Sequence, residues 1–269
     1  MPTKRLRERS FHTGAVALHY AEGPPNGPAM VYLHGGSARW QHGARFVTRM
    51  AERWQVYGVD LRGHGRSGWV PGGYRVRDYA ADTAAFLRGV VRGPAALYGH
   101  SLGGQVARWC WGTSRWPTAT PSRSRRAPAD QIAAALRELP LPRDGRRAGD
   151  AFGADSPWFP FMGETLAQHD PEVLTFVLDR RAEMLDGYDV VALLPRVACP
   201  TLLVLADLAA GGQVAEADAA RAGRLLPRGE RVRLAGIGHP LHATHPEPVA
   251  RVIDAFLAAH SARAPDRGA

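Results

Sequence analysis

Gly99-His100-Ser101-Leu102-Gly103 has the spacing G-x-S-x-G and follows an apolar run, a pattern that proposes a serine nucleophile. The reason for the spacing is steric. A strand ending near Tyr98 must turn sharply into a helix with Ser101 at the apex, and side chains at 99 and 103 would collide there. Ser101 Oγ then stands in the open, and the Leu102 N–H at the helix start points to where an oxyanion would form.

A serine hydroxyl needs a base, an acid to orient that base, and a second oxyanion donor. His239 is the expected base, because Gly236-Ile237-Gly238-His239 lies between the last strand and the last helix. Asp207 is the candidate acid, at the end of the buried run Thr201 to Ala206 (TLLVLA) and in the chain order Ser, Asp, His. Gly36, directly after His34-Gly35, can donate the second oxyanion N–H, with His34 buttressing the loop. His242 and His245 could suggest a metal, but no carboxylates or cysteines accompany them, so they read as rim or surface histidines and no metal is expected.

The elements that must carry these groups alternate. Arg5 to Thr13 and Val16 to Tyr20 read as an opening hairpin. Ala29 to Leu33 and Gln55 to Val59 are buried strands separated by a helix over 42–53. Asp78 is placed to cap a helix running to Arg88. Ala95 to Tyr98 is the strand before the elbow, and the elbow helix runs to about Trp111. Pro171 to Leu185 has the spacing of one amphipathic helix, Asp218 to Leu226 is another, and Arg231 to Ala235 is the last strand. Thr244 and Glu247 fit a capping box for a closing helix with Val249, Val252, Ile253, Phe256 and Leu257 on one face. Strand and helix in alternation imply a parallel sheet covered on both faces.

One stretch breaks the pattern. Thr113 to Pro128 holds four arginines, three prolines and no Leu, Ile, Val, Phe or Met, so a buried strand does not fit there. Its composition resembles a coding sequence read out of frame over a short interval. Of the net charge of +9 over 269 residues, +5 falls between Arg115 and Arg147, where eight arginines outnumber Asp130, Glu138 and Asp144, and only Lys4 among the 34 basic residues is lysine. No nucleic-acid motif accompanies the charge, and Asp60 to Gly68, with Arg62, His64 and Arg66, reads as a structural loop at the mouth of the site. No apolar run approaches the ~18 residues of a membrane span, and the N-terminus lacks a signal-peptide core, so the expected location is the cytoplasm. Cys110 and Cys199 lie in apolar segments and read as reduced core residues.

Taken in order, HGGS from His34, DLRGHGRSG from Asp60, GHSLGG from Gly99, the strand ending in Asp207 and the GxGH loop resemble the α/β-hydrolase fold superfamily. The resemblance is strong over 29–110 and good over 195–258. It implies a mostly parallel sheet of about eight strands with helices on both faces, a helical cap and a Ser-His-acid triad that uses no cofactor. The core is then 1–112 with 195–269, and 113–194 is an irregular basic segment plus the cap. Two departures stand out. In many members the acid lies about two residues farther on, where this chain has Ala209, so the acid is Asp207 on a differently bent loop or is absent. The break at Thr113 to Pro128 leaves the sheet one central strand short after the elbow helix.

The expected activity is hydrolysis of small apolar esters or related carbonyl compounds, with Trp40, Trp158, Phe159, Phe161 and Met162 lining the pocket or the underside of the cap. Other expectations on the same frame are a C–C bond hydrolase, a cofactor-free perhydrolase, or a protein that binds a ligand without turning it over.

Overall fold

The computed structural model describes residues 6–113 and 159–261. The continuous apolar runs become its buried strands. β1 (Arg7–His12) and β2 (Ala17–Glu22) form an antiparallel hairpin. β3 (Ala29–Leu33), β4 (Gln55–Val59) and β5 (Ala95–Gly99) follow, β3 lying parallel between the other two, and β2 joins the far edge of β4 antiparallel. The order is β1-β2-β4-β3-β5. β6 (Thr201–Ala206) and β7 (Gly229–Leu234) pair in parallel as a second sheet. Among the described residues no strand lies between β5 and β6 in the chain.

The two sheets nevertheless share both of their faces. Side chains alternate across a strand, and Val31, Leu33, Leu97, Leu203 and Leu205 fall in one buried cluster, while Met30, Tyr32, Tyr98, Leu202 and Val204 fall in another. The first face is covered by α2 (Val76–Phe86) and α3 (Leu102–Thr113), which supply Tyr79, Phe86, Val106 and Cys110. The second is covered by α1 (Ala44–Met50) and the closing helix α10 (Pro246–Ser261), which supply Phe46, Val47, Val249 and Ile253.

Between the sheets in sequence come α4 (Phe159–Ala167), α5 (Pro171–Leu178), α6 (Arg181–Met184) and α7 (Val190–Leu193); after β6 come α8 (Glu216–Leu225) and, beyond β7, α9 (Leu241–Thr244). α4 and α5 dock on the core through polar ties. Arg39 donates to Glu164 Oε2 at 2.6 Å and to Gln168 at 3.2 Å. The Asp170 N–H bonds Gly63 O at 2.8 Å, and Tyr74 donates to Asp170 Oδ2. No helix among the described residues is long and apolar enough to cross a membrane.

Four details differ from the pattern read in the sequence. The helix expected over 42–53 is a short 3-10 turn, Trp40–Gly43, followed by α1. Asp78 is not the N-cap of α2; Arg75 is, and Asp78, three residues in, accepts the Arg75 N–H at 3.0 Å. The helix expected from Pro171 to Leu185 breaks at Asp179, where the Arg180 N–H bonds Thr175 O at 2.9 Å, one residue beyond helical register. The Arg180 side chain spans the break, pairing with Glu172 at 3.1 Å and Glu183 at 2.7 Å. The Thr244 hydroxyl bonds Pro240 O at 3.2 Å, which closes α9.

Candidate active site

Strand β5 runs into helix α3 through one residue, and that residue carries the strain. Ser101 has φ 50°, a left-handed conformation unusual for a side-chain-bearing residue and worth about 1–3 kcal/mol of strain. Backbone crowding explains the flanking glycines: a Cβ on Gly99 would overlap Gly103 O, and a Cβ on Gly103 would overlap Leu33 O. The turn is pinned to the end of β3, since the His100 N–H bonds Leu33 O and the Gly103 N–H bonds His34 O, both at 3.0 Å.

The loop after β3 is fixed by its histidine. His34 is fully buried, donates from Nδ1 to Gly35 O at 2.7 Å and accepts the Leu61 N–H on Nε2 at 3.0 Å. Burial lowers its pKa to about 3, so it is a neutral support. Gly36 follows with open space where a Cβ would stand. Among the described residues neither the Gly36 N–H nor the Leu102 N–H makes a hydrogen bond.

His239 and Ser101 line one small cavity with His100, Val204, Ala206, Gln213 and Leu241. Burial lowers the pKa of His239 to about 4, which leaves the ring neutral and able to accept a proton at neutral pH. Asp207 ends β6 beside this loop. Its Oδ2 accepts the Gly236 N–H at 2.7 Å and its Oδ1 the Ala209 N–H at 2.9 Å, and these two donors hold its carboxyl below its ordinary pKa. Among the described residues no hydrogen bond joins the His239 ring to Asp207.

His242 is not a rim histidine. It is 2% exposed, turned inward by α9, with Nε2 2.9 Å from Tyr32 Oη and its ring against those of His100 and Tyr98. His245 is exposed. Trp40 is buried against Gly58 with its main-chain N–H on Asp60 Oδ1 at 2.8 Å, and does not line the cavity beside Ser101. Phe159, Phe161 and Met162 belong to the first turn of α4, though their side chains, like all of Trp158, lie outside the described residues. In the loop from Asp60 to Gly68, Arg62 grips Asp82 through two bonds of 2.5 and 2.8 Å, His64 is buried and Arg66 pairs with Glu8. The sequence motifs assign no task to His100, which is buried and lines the same cavity as Ser101 and His239. Among the described residues no group of three or more His, Cys, Asp or Glu side chains could hold a metal ion.

The model of the alpha/beta hydrolase family matches residues 30–252, from within β3 to within α10. The chain belongs to this family. Among its alpha/beta hydrolase relatives, a 2-(acetamidomethylene)succinate hydrolase of Mesorhizobium japonicum is 37% identical over 95 residues. That match spans 35% of this chain and only 34% of the relative. A pimeloyl-[acyl-carrier protein] methyl ester esterase of Xanthomonas oryzae pv. oryzae is 29% identical over 260 residues, 87% of this chain and 96% of the esterase. In fold the chain is similar to a solved E-2-(acetamidomethylene)succinate hydrolase, with TM-score 0.78 and 22% identity over 94% of this chain and all of the other.

Proposed function

We propose that this chain is a serine hydrolase of small apolar esters or related carbonyl compounds. The observation that carries the reading is Ser101, held at φ 50° between strand and helix and sharing a cavity with a half-buried, neutral His239. Ser101 Oγ attacks the carbonyl as His239 takes its proton, and the Leu102 and Gly36 N–H groups receive the developing oxyanion. His239 then gives the proton to the departing alcohol, and water repeats the cycle on the acyl-enzyme. Asp207 serves by holding the loop of the base at Gly236. The methyl ester esterase among the relatives supports an ester as substrate.

Labelling with a fluorophosphonate probe followed by peptide mapping tests this. Adduct on Ser101 and loss of turnover in a folded Ser101→Ala variant are expected; unchanged esterase activity in that variant would sink the mechanism.

A second reading, a family member that binds its ligand without turning it over, is favoured by one observation: no carboxylate bonds the His239 ring among the described residues. A saturable ligand recovered intact after prolonged incubation, together with no probe adduct, would establish it.

A further inference from the structure

His100 occupies the variable position just before the nucleophile, yet it is tied to the opposite side of the site. Its Nε2 lies 3.0 Å from the main-chain oxygen of His239. A carbonyl only accepts, so Nε2 carries the hydrogen and Nδ1 is bare. The bare edge faces Gly35, where a Cβ would stand 2.9 Å from Nδ1. The ring is 9% exposed and lies 4.6 Å, centre to centre, from the rings of both His239 and His242. Among the described residues the titratable groups acting on His100 are other histidines: His239 from the loop after β7, His34 and His42 from the segment after β3, and His242 from α9.

The loop of the base is therefore held by its main chain. Asp207 grips it with its side chain and its main chain: the Gly236 N–H bonds Oδ2, and the Asp207 main-chain N–H bonds Ile237 O at 2.8 Å. Neither tie reaches His239 itself, whereas the His100 bond does.

We propose that His100 is a positioning residue of the hydrolase argued above: its Nε2–H, donated to the His239 carbonyl, sets the base against the nucleophile, the task a carboxylate on the His239 ring would otherwise perform. The proposal rests on the hydrolase reading for its catalytic meaning, but the tie itself is independent of turnover. The shape of the donor matters, because glutamine carries an N–H near the place of Nε2 and leucine carries none.

The test uses the full chain with His100→Leu and His100→Gln, and p-nitrophenyl butyrate as the probe substrate. In His100→Leu, kcat should fall about 30-fold with KM within about twofold, since misplacing a catalytic group costs turnover before binding. Amide exchange over 235–241 should quicken about tenfold in the same variant, and His100→Gln should recover most of both. Equal losses in the two variants, or unchanged exchange in folded His100→Leu, would overturn the proposal. Should His100→Leu fail to fold, the imidazole nitrogen spectrum of the wild type decides: hydrogen on Nε2 supports the tie, and hydrogen on Nδ1 overturns it. If the wild type neither turns over the ester nor takes the fluorophosphonate label, the hydrolase reading falls, while exchange and tautomer still judge the tie.

Discussion

Asp207 Oδ2 accepts the N–H of Gly236 at 2.7 Å, three residues before His239, so the carboxylate acts on the base through the backbone that carries it. Replacing an acid that hydrogen-bonds its catalytic histidine directly costs about 10⁴ in kcat in the serine protease case. Here Asp207→Asn keeps one acceptor oxygen and loses the other, and kcat/KM on p-nitrophenyl butyrate should fall by only about tenfold. A loss near 10⁴ would show that the carboxylate meets the ring during turnover.

In the proposed mechanism the pH dependence of activity follows from His239. The ring must be neutral to accept the serine proton, and burial lowers its pKa to about 4. Between pH 7.5 and 5.5 the free enzyme should therefore show no decline in kcat/KM while circular dichroism reports an intact fold. An inflection near the unperturbed value of about 6.5 would mean that His239 is solvated.

Stability has the opposite sensitivity. Burial lowers His34 and His100 to about 3 and His42, His169 and His239 to about 4, while His64 and His242 also lie well below the ordinary value. Above about 6.5 these rings are neutral whether the chain is folded or not, so they cost nothing. Below it the unfolded chain takes up protons that the folded chain refuses, and each ring removes about 1.4 kcal/mol of stability per pH unit until its folded pKa is reached. The urea midpoint should be flat from pH 8 to 7 and drop steeply between pH 6.5 and 4. A midpoint independent of pH across that window would refute the buried, neutral assignment.

Gly103→Ala tests the elbow itself. The added methyl meets main-chain Leu33 O, which cannot swing aside, so the variant should lose about 3 kcal/mol or more, or fail to fold. Urea unfolding measures this, with Gly36→Ala, where a Cβ meets nothing within 4 Å, as the tolerant control.

The bounds of β3, β4 and β6 were legible in the sequence because each is a short apolar run buried on both faces and closed by turn residues. The elbow was legible for a similar reason: its steric demands leave few residue types at 99 and 103. What could not be read locally depends on partners far along the chain. His242 looks like any loop histidine until Tyr32, 210 residues earlier, is placed against it. The break after α5 is set by a main-chain bond and by Arg180 reaching Glu172 and Glu183, which hydrophobic spacing does not report. The reach of His100 to His239 spans 139 residues and leaves no mark in either motif.

Ser101 stands at the end of β5 and His239 beyond β7, and among the described residues no backbone ladder joins β5 to β6. The proposed nucleophile and base thus ride on separate platforms, joined by shared apolar layers and by the His100 bond. Apolar packing is non-directional and tolerates small sliding, whereas a hydrogen-bonded ladder fixes register. In the proposed mechanism the attack distance is accordingly a property of a seam, and substitutions along that seam, remote from Ser101 and His239, are where tuning of the rate would accumulate.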